Sequence, residues 1–202
     1  MKEKRARVIR YFDTEIGQYV LQDLNRLSQI RPDPNTGLRG CTVPQAMLIF
    51  AVLDLLGYLV NEDPKASKTN TFKNYSAIFS SNLGLFPIQY EQDTDKIVKL
   101  FRHGLMHQFF PKASGIAKVI EDKPLIFRGS ENLCLNVDRL SADLVNAISI
   151  LRQHIESGSN EANELVERIN VRLDILTKED FEELDKVCGE PTDKQDQQTA
   201  IK

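Results

Sequence analysis

Residues 93–112 read DTDKIVKLFRHGLMHQFFPK, and the periodicity of this stretch decides the fold. At about 100° per residue, Ile97, Val98, Phe101, Leu105 and Phe109 fall on one arc roughly 120° wide, the width of a core-facing helical stripe. The opposite arc carries Arg102, Met106, Lys99, His103 and His107. Asp93 is the candidate N-cap, and Pro111 stops the helix. Two of the chain's three histidines lie here, within five residues. A helix with so complete an apolar stripe needs other helices to bury it.

Those helices are legible on both sides. Val8, Ile9, Phe12, Ile16, Tyr19, Val20, Leu24 and Leu27 recur at spacings of three and four, predicting a first helix over residues 3–30. Its opening turns carry Lys2, Lys4, Arg5, Arg7 and Arg10, which read either as a solvated end or as a phosphate-contacting arm. Residues 31–43 are punctuated by Pro32, Pro34, Asn35, Gly37 and Gly40 and read as a loop. A second helix is expected over 44–61, with Thr42 as cap and Pro44 at its first position. It is apolar almost all round and therefore belongs at the centre of a bundle. Asp54 within it is a candidate buried carboxylate, to be satisfied by a neighbouring hydroxyl or cation, or else a catalytic acid.

A polar loop over 61–71 precedes a shorter helix over 72–81, and 82–92 connects to the motif helix. After Pro111 the period changes. Residues 116–120, 125–127 and 133–137 are short runs of β-formers, predicting a small hairpin or meander insertion of two or three strands. Ser141 reads as the cap of a helix over 142–157, and Gly158 breaks it. A helix over 161–170 follows, residues 171–176 fit either helix or strand, and Thr177 with Asp180 resembles a capping box for a short helix to Val187. From Gly189 the chain is polar and reads as a disordered tail.

The whole is expected to be mainly α, an up-and-down helical bundle with a small β insertion. Its organisation reads as a bundle over 1–157 including the insertion at about 115–138, a helical extension over 158–188, and the tail. Of 202 residues, 41% are hydrophobic and 27% charged, ordinary for a globular chain. No stretch reaches the roughly 18–20 apolar residues of a membrane span, so no membrane partner is expected. Cys41, Cys134 and Cys188 are odd in number and lack a CxxC pair, which points to reduced thiols and a cytoplasmic setting. Residues 177–196 hold eight acids against three lysines, a local balance of −5 that leaves +2 for the rest of a chain at −3 overall. Neither part has the strong basic patch of a duplex binder.

Arg102, then polar His103, three further positions and His107, set late in a helix, resemble the Arg-x4-His motif of HEPN-domain ribonucleases. The resemblance covers residues 1–157. It implies a HEPN-like bundle that cleaves RNA without a metal, with Arg102 and His107 catalytic and His103 auxiliary. It further implies a homodimer whose motif helices face each other across a composite cleft. Such domains occur in defence and toxin–antitoxin systems, which would supply an antitoxin or nucleotidyltransferase partner. The alternative within the family is a non-catalytic, HEPN-like dimeric interaction or nucleotide-binding module.

The residue types suit that chemistry. Cleavage through the ribose 2′-OH needs one group to take its proton, another to protonate the leaving 5′-oxygen, and positive charge at the phosphate. Imidazole, titrating near pH 6.5, suits either proton transfer, and the planar fork of guanidinium can hold two phosphate oxygens. Around the helix Arg102 and His107 stand about 140° apart, with Met106 and His103 at about 40° and 100° between them. They therefore flank a groove rather than stack. Lys99, Lys112 and Lys118 are candidates for guiding phosphate, or simply solvated lysines. The structural reading of the motif has Arg102 capping or bridging helices, His103 exposed to solvent and His107 a satisfied core histidine. His103 and His107 also have the i, i+4 spacing of a two-histidine metal pair, but His154 is distant and no further pair completes a tetrahedral set. No metal is therefore expected. There is no P-loop, dinucleotide-binding glycine turn, GxSxG or kinase signature, so no cofactor is expected either.

Overall fold

A computed structural model describes residues 1–33, 35, 40–108, 111, 114–119, 121–128 and 132–188, without the side chains of residues 127, 128, 132, 185 and 188. The helix α2, Thr42–Val60, is the axis on which it is built. Ala46, Ile49, Phe50, Leu53 and Leu59 have no solvent exposure, and α2 packs against several other helices, as its nearly uniform hydrophobicity requires. It is long and apolar enough to cross a membrane, which corrects the expectation that no stretch is, but most of it is buried inside the protein. Its start differs from expectation. The helix begins at Thr42, and the cap position is Cys41, held in the left-handed region at φ 52°.

The first helix, α1, is a single rod of Lys2–Tyr11, Phe12–Leu21 and Gln22–Gln29, whose middle part is wound as a π-helix. Lys118, from the chain just after the first strand, closes its C-terminal end. The Lys118 Nζ donates to the carbonyls of Leu27 (2.6 Å) and Ile30 (2.9 Å), groups that a helix end leaves unsatisfied. Lys118 is thus buried, and burial holds its pKa down. This corrects its reading as a phosphate guide. The basic opening of α1 also has structural partners, since Lys4 pairs with Glu167 and Arg7 with Asp174, and Arg5 reaches Asn163.

α3, Thr71–Phe79, is capped by the Asn70 side chain and lies very close to α2. A Cβ on Gly57 would stand 2.3 Å from the Asn74 carbonyl oxygen, so only glycine permits this approach. A short helix, α4 (Ile88–Gln92), lies inside what reads as a connector. The motif helix α5 comprises Thr94–Lys96, a π-wound Ile97–Arg102 and His103–Gln108. Asp93 sits at its N-cap position but does not cap it through its side chain, which instead accepts from Lys96 Nζ at 2.6 Å. Ile97, Phe101 and Leu105 are fully buried and Val98 nearly so, so the expected stripe faces the core, while Phe109 lies outside the described residues.

Three strands follow, β1 (Gly115–Ala117), β2 (Leu125–Arg128) and β3 (Asn132–Asn136). β2 and β3 form an antiparallel pair, with Leu125 opposite Leu135 and Phe127 opposite Leu133. β1 joins the other edge of β3 in parallel, giving the order β1-β3-β2. The hairpin expectation holds and the meander does not. The chain leaves β1 through Lys118, which is anchored at the end of α1, so β2 reaches the sheet on the far side of β3.

α6, Val137–Ser157, begins five residues before the expected start. Asn136 is its cap, accepting from the Arg139 backbone N–H, and Ser141 is a buried residue within it. Asp143 of α6 accepts from Tyr90 (2.7 Å) and from Arg139 (2.8 Å), tying α4 to α6. Burial is the main cause that pushes the Tyr90 hydroxyl pKa far up, with the Asp143 charge adding to it. Gly158, at φ 70°, turns the chain into α7, one helix over Asn160–Cys188. Residues 171–176 are therefore helical. Thr177 does not open a new helix, because its hydroxyl donates to the Leu173 carbonyl one turn back (2.8 Å). The expected tail after Gly189 lies outside the described residues. Architecturally, the described residues form seven helices and one small three-stranded sheet, a mainly α fold with a β insertion.

Candidate functional site

Two helices build the cluster around Arg102. α5 turns its apolar stripe inward, and its other face meets α2 at Asp54. The winding changes at this point. The His103 backbone N–H reaches the Val98 carbonyl, five residues back, a wide turn of the kind often found at functional sites. From His103 onward the helix is α again, and His103 and His107, one turn apart, stack with ring centroids 5.8 Å apart and planes 28° from parallel.

The arginine spans the arc that the helix leaves between it and His107. Its Nε (3.0 Å) and Nη2 (2.9 Å) both donate to one oxygen of Asp54, Oδ2, and its Nη1 lies 3.5 Å from His107 Nε2. That distance is beyond a good hydrogen bond, so the two groups are neighbours facing the same space rather than a bonded pair. Burial grades outward across the cluster. The Arg102 and Asp54 side chains are 16% and 17% exposed, His103 is half-buried and His107 is exposed.

Arg102 does bridge helices, as the structural reading required. His107 is not a core histidine, since it faces solvent. Asp54 is a mostly buried carboxylate paired with a cation through one of its two oxygens, and that cation is Arg102. The link between Asp54 and Arg102 is 48 residues long in sequence, and no local pattern announces it. The only signal was an acid inside an otherwise apolar helix.

Asp54 is unusual in a second respect. Its Oδ1 is buried with no hydrogen-bond partner among the described residues, and burial pushes its carboxyl pKa above the ordinary carboxylate range, opposed by the Arg102 charge. Tyr75 from α3 stands beside the pair, its hydroxyl donating to the Phe50 carbonyl at 2.9 Å. Burial, with the Asp54 charge next, drives the Tyr75 pKa well up. The ion pair therefore has the buried Tyr75 beside it, and His107 near the Arg102 Nη1.

Of the lysine candidates, Lys99 is exposed and paired with Asp95 at 2.8 Å. Lys112 lies outside the described residues. Among the described residues, no three His, Cys, Asp or Glu side chains gather as a metal-binding group. His154, the remaining histidine, lines a separate cleft of about 730 Å³ with Lys73, Ser76, Glu164 and Arg168. None of the residues around that cleft belongs to the Arg102 cluster. Compared with family models, curated proteins and solved structures, the chain matches none.

Proposed function

We propose that the Asp54–Arg102–His107 cluster is the active site of a metal-independent RNA endonuclease of HEPN type. The observation that carries this reading is the 3.5 Å approach of the Arg102 guanidinium to an exposed His107 imidazole, with a second imidazole stacked beside it. An anion-binding fork and a group able to move a proton thus share one accessible face.

In the proposed reaction the ribose 2′-oxygen attacks the adjacent phosphorus and the bond from phosphorus to the 5′-oxygen breaks. The products are a 2′,3′-cyclic phosphate and a 5′-hydroxyl. His107 makes one of the two proton transfers, taking the 2′-OH proton or protonating the 5′-oxygen. His103 is the auxiliary imidazole. Arg102 carries charge complementary to the phosphate as negative charge builds on it. Asp54 is a positioning residue. By engaging Nε and Nη2 it fixes the plane of the guanidinium and leaves Nη1 directed at His107. The need for a 2′-OH makes the reaction selective for RNA over DNA.

The protein is proposed to act as a homodimer, with the α5 faces of two copies opposed about a two-fold axis. Asp54 bears on this assembly, because its carboxylate offsets the repulsion between two arginines. An antitoxin or nucleotidyltransferase partner belongs to the same proposal. A second reading, a HEPN-like module that binds without cleaving, has one observation in its favour. Two of the guanidinium's N–H edges are already occupied by Asp54, as in a purely structural ion pair. Incubation of the purified protein with mixed RNA in EDTA, beside His107→Ala, separates the two.

A further inference from the structure

α7 is longer than the surface it covers. Over its first half it presents Ala162, Val166 and Ile169, fully buried, and Leu173, nearly so, to α1, α2 and α6. Ion pairs of Lys4 with Glu167 and Arg7 with Asp174 show that α1 and α7 run parallel. The same helical face then continues past its last buried residue, Leu173. Counting about 100° per residue, Leu184 falls on the line of Val166 and Leu173, Val187 on that of Ile169, and Phe181 at the edge of the stripe. These three side chains are 62% (Phe181), 52% (Leu184) and 79% (Val187) exposed. A stripe that is core at one end of a helix is bare at the other.

The charges beside it select the partner. Residues 177–188 carry Glu179, Asp180, Glu182, Glu183 and Asp185 against Lys178 and Lys186. Glu179 is engaged by Lys68 at 2.8 Å and Glu182 by Lys178 at 3.7 Å. Asp180 and Glu183 form no ion pair among the described residues, although the charge of both is felt at Lys68, whose pKa is raised first by its hydrogen bond to Glu179. By the same count, Asp180 lies within the apolar stripe and Glu183 on its border. A second copy docked through this face would set acid against acid, which costs affinity. We infer that the α7 overhang docks a partner polypeptide that offers an apolar groove rimmed by lysine or arginine. Phe181, Leu184 and Val187 are the anchors, and Asp180 with Glu183 sets the specificity. This inference does not depend on the ribonuclease reading.

The test uses the full chain and three synthetic amphipathic helical peptides. One has a leucine stripe flanked by lysines, one the same stripe flanked by glutamates, and one the lysines with serines replacing the leucines. Binding is read by fluorescence anisotropy at physiological salt, and oligomeric state by sedimentation. The first peptide should bind at least about tenfold more tightly than either control. Leu184→Glu should remove that advantage, and Asp180→Lys/Glu183→Lys should transfer it to the glutamate peptide, both with an unchanged melting temperature. Equal binding by the serine peptide would reduce the effect to charge alone and overturn the inference. So would indifference to Leu184→Glu, or a wild-type dimer that Leu184→Glu dissociates, which would assign the stripe to a second copy.

Discussion

Asp54 and Arg102 are joined through a single carboxylate oxygen. Oδ2 takes both the Nε and the Nη2 hydrogens of the arginine, while Oδ1 has no partner among the described residues. Two consequences separate cleanly. Removing Asp54 alone leaves a mostly buried guanidinium uncompensated, so Asp54→Ala should cost about 2–4 kcal/mol, somewhat below the ~3–5 kcal/mol of a fully buried pair. Replacing both partners, as in Asp54→Leu/Arg102→Met, should recover most of that loss yet leave no cleavage. In the account proposed here Asp54→Ala also lowers cleavage roughly 10- to 100-fold by letting the fork drift, and Arg102→Lys, which keeps the charge but not the fork, is no substitute. Urea denaturation beside a cleavage assay reads both effects.

The raised pKa of Asp54 gives a pH dependence with a definite sign. Between its unfolded value, about 3.9, and its higher folded value, the native state holds the extra proton. Its contribution to stability therefore weakens as pH rises through that window and is recovered as pH falls. Relative to wild type, Asp54→Asn should gain stability as pH is raised from about 4 to 7. Measured by urea midpoints across this range, an opposite slope would mean that Arg102, not burial, dominates the carboxyl.

The close packing of α2 on α3 is a third point of test. A methyl at Gly57 meets the Asn74 carbonyl, backbone that cannot swing away, so Gly57→Ala should destabilise by about 1–3 kcal/mol. For a chain of this size that lowers the melting temperature by roughly 2–4 °C per kcal/mol. An unchanged melting temperature would show that the helices can part there at no cost.

The proposed dimer makes a fourth prediction. With Asp54 beside each Arg102, phosphate should tighten the assembly without being required for it. Sedimentation at micromolar concentration should show a dimer in plain buffer. In mixtures of Arg102→Ala with His107→Ala, partial recovery of cleavage would show that the site is shared across the interface. A monomer with and without phosphate would rule the assembly out.

What could be read from the chain was whatever is written at helical or strand period. The buried face of α5, the central place of α2 and the β2–β3 hairpin all follow from local patterning. Helix starts were less legible. Asn136 caps α6 directly from a strand, and Cys41 precedes α2 in a left-handed conformation that no propensity marks. The unity of α7 was hidden by Thr177, whose hydroxyl serves inside a helix as readily as at its start. The strand order was hidden because Lys118 pins the exit of β1 to a helix end 88 residues earlier in the chain. In the candidate site the histidines and the arginine were visible as a spacing. Their link to Asp54 was not, because a tertiary ion pair leaves no period in sequence.

Cleavage of RNA by the purified wild-type chain in EDTA, with the product ends analysed beside His107→Ala, tests the central claim most directly. The account predicts 2′,3′-cyclic phosphate or 3′-phosphate ends and a loss of about 10²–10⁴-fold in the variant, at an unchanged melting temperature because His107 is exposed. No cleavage by wild type, or equal cleavage by the variant, would contradict it and leave Arg102 as a structural bridge between α5 and α2.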